Sequence, residues 1–101
     1  MPAPENCHSM TELRAEIDRL DQQLIALLAA RAGYIDRAIE IKARDGLPAR
    51  ISARVDEVID NARAGAAREG LDPALAGALW AQIVEWSIAR EERVLGHSKE
   101  G

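Results

Sequence analysis

Two cations of this sequence fall on the apolar face of a predicted helix. Arg31 and Lys42 are 11 residues apart, so at about 100° per residue they differ by about 20° around the helix axis and share one face. Leu20 and Leu24 lie within about 20° of Arg31 in the same projection, so this face is the apolar one. An unpaired cation is costly to bury. Each cation therefore needs an anion, which is either a carboxylate of the protein or a bound ligand.

A second set of polar residues interrupts the apolar stripe of a later helix. Ser87 and Glu91 stand at i and i+4, which makes them neighbours on one helix face in line with Trp80. Arg14 is rotated by about 100° from Arg31, so it does not join the same pocket from the same helix. In a two-fold dimer, Arg14 would instead reach the pocket of the other chain. Together these groups suit a small dianion, held by positioning and charge stabilisation rather than by covalent catalysis.

Each of these residues also has a purely structural interpretation. Arg14 could be a solvated surface residue, and Arg31 and Lys42 could extend past the stripe with their stems buried. The two cations could also pair with Glu91 in a structural salt bridge, which burial makes a weak source of stability. Periodicity alone leaves both interpretations open.

The elements that must position these side chains are all helical. Apolar residues recur at intervals of three and four from Thr11 to Arg44, and Ser9 with Glu12 fits a capping box at the start. Gly46 and Pro48 end this first helix. A second helix is predicted from near Ser52 to Gly70, and a third from the N-cap Asp72 to Gly96. The predicted apolar stripe of the third helix is Ala76, Leu79, Trp80, Ile83, Ser87 and Val94.

The length of the first helix carries a prediction about assembly. Roughly 33 residues of helix extend about 50 Å, whereas a compact domain of 101 residues has a radius of gyration of only about 13 Å. The helix therefore overshoots any globule that the rest of the chain can build, and its stripe needs a cover. We expect a second copy of the chain to supply it, in an intertwined two-fold dimer. The alternative is a helix that is kinked at Gly33.

Composition restricts the classes of function. The chain is 48% hydrophobic and 30% charged, as globular domains are, and its net charge of −4 argues against a nucleic-acid or membrane-surface partner. Neither a membrane span nor a signal peptide is visible, so we expect a cytoplasmic protein. Cys7, His8 and His97 all lie in the predicted arms, residues 1–8 and 97–101, which flank a helical domain at 9–96. We therefore expect no metal and no cofactor.

The pattern L-R-x-E-I-D-R-L-D-x-x-L-I-A-L-L-A-x-R at residues 13–31, followed by I-K-A at 41–43, resembles the all-helical chorismate mutases. The resemblance covers roughly residues 9–95. Residues 4–7 (PENC) and 81–86 (AQIVEW) are similar to one branch in particular, the isochorismate pyruvate lyases of salicylate synthesis. The resemblance implies an all-α, three-helix chain with a very long first helix, in an intertwined homodimer with two shared active sites.

The resemblance also implies a role for each residue. Chorismate carries two carboxylates and an enol-ether oxygen, and it rearranges to prephenate in one unimolecular step. By resemblance, Arg31 binds one carboxylate and Arg14 of the partner subunit binds the other. Lys42 donates to the ether oxygen and to a carboxylate. Glu91 is a second donor to the ether oxygen, Ser87 supports the ring carboxylate, and Arg54 matches a family arginine.

Two departures from the family pattern affect the expected chemistry. Glu91 stands where the family often has Gln, and a carboxyl donates a hydrogen bond only when protonated, so activity should fall as the pH rises and the proton is lost. Ile51 and Val55 are apolar where the mutases usually carry acidic residues for the substrate hydroxyl. The choice among chorismate, isochorismate and an amino analogue therefore stays open. So does the pathway, and the chain could instead be a non-catalytic dimerisation module.

Overall fold

Three α-helices form the part of the chain that the computed structural model describes, residues 3–96. They are α1, α2 and α3, with bounds Met10–Asp45, Ser52–Glu69 and Pro73–Leu95. A short 3-10 turn, Pro4–Asn6, precedes them, and residues 3–96 contain no strand, which confirms the all-α prediction. None of the described helices combines the length and the apolarity needed to cross a bilayer. The predicted tail at 97–101, with His97, lies outside the described residues, as do residues 1 and 2 of the predicted arm.

Side chains cap the helix starts where the sequence predicts. The Ser9 hydroxyl accepts a hydrogen bond from the Glu12 N–H at 3.1 Å, and the Glu12 carboxylate accepts one from the His8 N–H at 3.1 Å. The Asp72 carboxylate accepts a bond from the Ala74 N–H at 2.9 Å at the start of α3. The bonds to Ser9 and Asp72 each satisfy a backbone N–H that the first helical turn leaves without a partner, whereas His8 precedes α1. The caps at Ser9 and Asp72 are therefore confirmed, but the return bond of Glu12 goes to His8 and not to the N-cap Ser9 that a capping box predicts.

Glycines in the left-handed region end the first two helices. Gly46 follows α1 with a φ of +71°, and the Leu47 N–H there donates to the Lys42 carbonyl at 2.9 Å. Gly70 ends α2 with a φ of +76°. An L side chain takes this conformation only at a cost, whereas glycine takes it freely, so the backbone can leave the helix axis at these points.

The chain divides into two compact units, residues 3–34 and residues 35–96. The first unit holds the 3-10 turn and the N-terminal part of α1, whose helical assignment continues through Gly33. Its large apolar side chains are 44 to 68% exposed, and they include Ile17, Leu20, Leu24, Ile25, Leu27 and Leu28. Within one chain, this apolar face of α1 has no complete cover.

The second unit holds the end of α1, the loop at 46–51, and α2 packed against α3. Its core is formed by Ala49, Val84 and Ile88. The partly buried side chains packed on that core are Val55, Val58 and Leu95. The predicted stripe of α2, from Val55 to Ala66, is buried or half-buried throughout.

The buried face of α3 differs in part from the predicted stripe. Ala76 and Ser87 are buried as expected, but Leu79 is 45% exposed and Val94 is 66% exposed. The buried face is instead centred on Val84, and Leu79 is rotated from it by about 140°. Val94 has the same angular position as the buried Ala76, about five turns earlier, but it lies next to the end of α3. The prediction for Leu79 and Val94 is therefore wrong, because spacing alone locates neither the centre of an apolar stripe nor how far along the helix it is covered.

Candidate active site

Lys42 and Glu91 form a buried ion pair between the end of α1 and the end of α3. The Lys42 Nζ lies 2.6 Å from the Glu91 Oε1, and the two side chains are 18% and 5% exposed. The Glu91 Oε1 receives no hydrogen bond of normal geometry from the described residues, so its contact with Lys42 is one of charge. The sequence predicts both residues on apolar faces, and the structure places them side by side in the second unit.

The Lys42 ammonium has a second partner in the main chain. Its Nζ donates to the Ala49 carbonyl oxygen at 2.7 Å, across the loop that follows α1. Ala49 itself is 2% exposed. An ammonium has three N–H bonds, so the hydrogen bond to Ala49 and the charge contact with Glu91 leave at least one of them for another acceptor.

Ser87 lies one turn before Glu91 on the same buried face of α3. It is 3% exposed, and its hydroxyl donates to the Ile83 carbonyl at 2.9 Å. A serine that bonds back to the preceding turn satisfies its own donor within the helix. For Ser87 to support a substrate carboxylate, its hydroxyl proton would have to turn away from Ile83.

A bidentate ion pair joins Asp36 of α1 to Arg90 of α3. The Arg90 Nε and Nη2 donate to the two Asp36 oxygens at 2.6 and 3.1 Å, and the guanidinium lies 5.5 Å from the ring centroid of Trp86. The hydrogen bonds from Arg90 lower the pKa of the Asp36 carboxyl, and the positive charge adds to them, while desolvation acts in the opposite direction. The ion pair thus holds the turn of α3 that contains Glu91 against the part of α1 that precedes Lys42.

A second bidentate pair joins the loop to α3. The Arg50 Nη1 and Nη2 donate to the two oxygens of Glu85 at 2.9 and 2.5 Å. These hydrogen bonds lower the pKa of the Glu85 carboxyl, against a smaller opposing effect of desolvation. The pair is part-exposed, with 33% of the Arg50 side chain and 56% of the Glu85 side chain in contact with solvent.

The structure does not bring Arg54 to the Lys42–Glu91 pair. Arg54 lies in the first turn of α2, its side chain is 64% exposed, and it pairs with Glu57 one turn further on. A role for Arg54 in binding would require its guanidinium to leave Glu57.

Arg14 and Arg31 belong to the first unit. Arg14 is exposed and Arg31 is half-buried with contacts of its own. The structure describes them within that unit, so their approach to Lys42 stays a prediction.

Two ion pairs that support the site, Asp36–Arg90 and Arg50–Glu85, were not predicted. Arg50 and Glu85 carry no local signal because they are 35 residues apart. Arg90 does carry a local sequence signal, because it stands four residues after Trp86, a spacing that brings a cation over an aromatic ring on a helix. The salt bridge considered as a structural alternative for Lys42 is present, with Glu91 as the partner.

Comparison with known families shows the family to which this chain belongs. Residues 13–92 match the family model described as chorismate mutase type II. The chain belongs to the chorismate mutase type II family. The match confirms the resemblance that the sequence pattern carries, and its range includes all six predicted site residues, Arg14, Arg31, Lys42, Arg54, Ser87 and Glu91.

Two characterised relatives place the chain within this family. The isochorismate pyruvate lyase of Pseudomonas aeruginosa is 35% identical over 95 residues, which cover 90% of this chain and 89% of the relative. The bifunctional chorismate mutase/prephenate dehydratase of Aquifex aeolicus is 39% identical over 51 residues, or 50% of this chain and 14% of that longer protein. The lyase therefore corresponds to this chorismate mutase type II chain along most of its length.

Proposed function

We propose that this protein converts chorismate to prephenate in a pocket built around Lys42 and Glu91. The observation that carries the proposal is the burial of these two ionisable groups at 2.6 Å from each other. Buried charges of this kind are costly, and they are common at functional sites. Membership of the chorismate mutase type II family supplies the reaction class.

The rearrangement needs little from the protein beyond shape and charge. The substrate must be held in its compact conformer, and the negative charge that develops on the ether oxygen must be stabilised. The remaining N–H of Lys42 is the donor for that oxygen. Its other two contacts, to the Ala49 carbonyl and to Glu91, hold the ammonium in place.

Glu91 is the proposed second donor to the ether oxygen. Only the carboxylic acid form of a glutamate can donate a hydrogen bond. As the carboxylate of the ion pair with Lys42, at 2.6 Å, Glu91 instead holds the ammonium in place.

The two carboxylates of the substrate require further cations, which Arg31 and Arg14 of the partner subunit supply. This assignment makes the protein a homodimer. The uncovered apolar face of α1 supports it, since side chains such as Leu24 and Leu27 are 57 and 68% exposed within one chain. A second copy of α1 is the natural cover for a helix face of that length.

The second candidate function is elimination of pyruvate from isochorismate on the same scaffold. The likeness to the Pseudomonas aeruginosa lyase, which extends over 90% of this chain, favours it. The same cations would bind the same two carboxylates, so the two functions differ in which substrate the pocket accepts.

Parallel assays of the purified protein with chorismate and with isochorismate test both functions. We expect prephenate from chorismate, and we expect Lys42→Ala to lower turnover by about 100-fold or more, as for loss of a donor to developing charge. Release of pyruvate from isochorismate, with chorismate left unchanged, would replace the first function by the second. Turnover of neither substrate would remove both.

A further inference from the structure

We propose that the Arg50–Glu85 pair is a positioning device for Lys42, which acts by presenting the Ala49 carbonyl to the ammonium. Its effect on turnover rests on the proposed function, whereas the contact with Lys42 can be tested without any substrate. Arg50 and Glu85 are positioning residues here, because neither touches the Lys42 ammonium itself.

A short series of contacts leads from Glu85 to Lys42. Glu85 lies on α3 and holds the guanidinium of Arg50 through two hydrogen bonds, at 2.9 and 2.5 Å. Arg50 follows Ala49 directly in the chain, so the pair restrains the peptide that links them. The carbonyl of that peptide accepts the hydrogen bond from the Lys42 Nζ at 2.7 Å.

The inner side of the same segment is fixed by packing. Ala49 is 2% exposed and belongs to the core with Val84 and Ile88 of α3. The methyl group of Ala49 thus sets the depth of the loop, but a single methyl group places little restraint on rotation of the peptide plane. The two parallel hydrogen bonds of the Arg50–Glu85 pair supply that restraint, since bidentate geometry fixes orientation as well as distance.

Lys42 needs such a restraint more than an arginine would. Its side chain has a flexible four-carbon stem and a compact charge without a preferred plane. With the Ala49 carbonyl in place, the ammonium is held from one side by the main chain and from the other by Glu91. If the carbonyl turns away, Glu91 alone directs the ammonium, and the remaining donor changes direction.

The test measures the accessibility of the Lys42 amine. The chain contains two lysines, Lys42 and Lys99, so acetylation by an N-hydroxysuccinimide ester can be followed at each by mass spectrometry, with Lys99 as the internal reference. Glu85→Gln removes one carboxylate from the pair. Glu40→Gln is the matched control, because Glu40 also pairs with an arginine, Arg37, and is 64% exposed, but it lies away from the loop.

We expect Glu85→Gln to accelerate acetylation of Lys42 by about two- to five-fold at fixed pH, the range set by the modest strength of a part-exposed pair. Glu40→Gln should leave the rate unchanged. Arg50→Lys, which keeps the charge and loses the bidentate geometry, should behave as Glu85→Gln does. The exchanged pair R50E/E85R should restore most of the protection, which a general loss of stability would not do.

Equal acetylation of Lys42 in the wild type and in Glu85→Gln would overturn the proposal. So would an equal acceleration in Glu85→Gln and Glu40→Gln, because the effect would then follow from net charge. If acetylation changes as expected while neither chorismate nor isochorismate is turned over, the positioning stands and the proposed function fails.

Discussion

The carboxylate of Glu91 lies 2.6 Å from the ammonium of Lys42, with 5% of one side chain and 18% of the other exposed. Two opposite charges at this distance offset each other, so the surroundings of Lys42 are less positive than the sequence alone indicates. Under the proposed function, a dianionic substrate would have to compete with Glu91 for Lys42.

The first prediction concerns the donor at position 91. A carboxylate cannot donate to the ether oxygen, whereas an amide can. Glu91→Gln should therefore raise the turnover of chorismate by up to about 100-fold, the gain of one such donor. Steady-state kinetics at a fixed pH measure this.

Glu69→Gln is the control for this substitution, since Glu69 is an exposed carboxylate at the end of α2. Its turnover should equal that of the wild type. Equal turnover by Glu91→Gln and the wild type would remove position 91 from the donor role.

The second prediction separates stability from turnover at the ion pair. Lys42→Met leaves the Glu91 charge buried without its partner, which should lower the free energy of unfolding by about 3 kcal/mol. Adding Glu91→Gln removes that charge and should recover most of the loss, yet turnover should stay low in both variants. Urea unfolding together with kinetics checks this. A cost below about 1 kcal/mol for Lys42→Met would mean that the pair is well solvated.

The third prediction concerns the Asp36–Arg90 pair. The hydrogen bonds from Arg90 lower the pKa of the Asp36 carboxyl below its ordinary value of 3.8. A carboxyl whose pKa is lower in the folded state stabilises the fold fully above that ordinary value, and the contribution is lost as the pH falls through the folded value. Asp36→Asn should therefore be less stable than the wild type at pH 7, and the difference should disappear under acid.

Urea unfolding at pH 7 and below pH 3.8 provides the comparison for Asp36→Asn. Asp60→Asn is a suitable control, because Asp60 is 74% exposed and approaches Arg63 only to 4.0 Å. It should show little difference from the wild type at either pH. A destabilisation by Asp36→Asn that persists in acid would assign the effect to packing rather than to charge.

The fourth prediction addresses the uncovered face of α1. Leu24→Glu places a charge on the proposed dimer interface, where burial would be costly, so the dimer should weaken by at least about 100-fold. Gln22→Glu adds the same charge about 160° away around the helix and should leave the assembly unchanged. Analytical ultracentrifugation measures both. A wild type that sediments as a monomer at all concentrations would contradict the dimer.

The features that the sequence predicted correctly depend on neighbouring residues. The caps at Ser9 and Asp72 follow from contacts within one helical turn, and the burial of Ser87 with Glu91 follows from their i and i+4 spacing. Local patterns of this kind need no knowledge of what packs on the helix. The family motif in turn indicated the three-helix architecture.

The features that sequence reasoning missed depend on distant residues or on the centre of a stripe. Arg50 and Glu85 meet only because the loop packs against α3, and their 35-residue separation gives no periodic signal. The exposure of Leu79 follows from where α3 faces its core, which one apolar pattern does not specify. For Lys42 the sequence left two kinds of anion open, a carboxylate of the protein and a bound ligand. The contact with Glu91 depends on how α1 and α3 pack, which the sequence pattern does not specify.

The hydrogen bond from Lys42 to the Ala49 carbonyl limits what substitutions at position 49 can show. Every substitution keeps the main-chain carbonyl, so saturation mutagenesis at this position reports on side-chain volume and does not remove the acceptor. An amide-to-ester replacement of the linkage between residues 49 and 50, made by semisynthesis, weakens the carbonyl as an acceptor and preserves the side chains. Such a replacement weakens the acceptor itself, whereas Glu85→Gln and Arg50→Lys act on it only through the position of the loop.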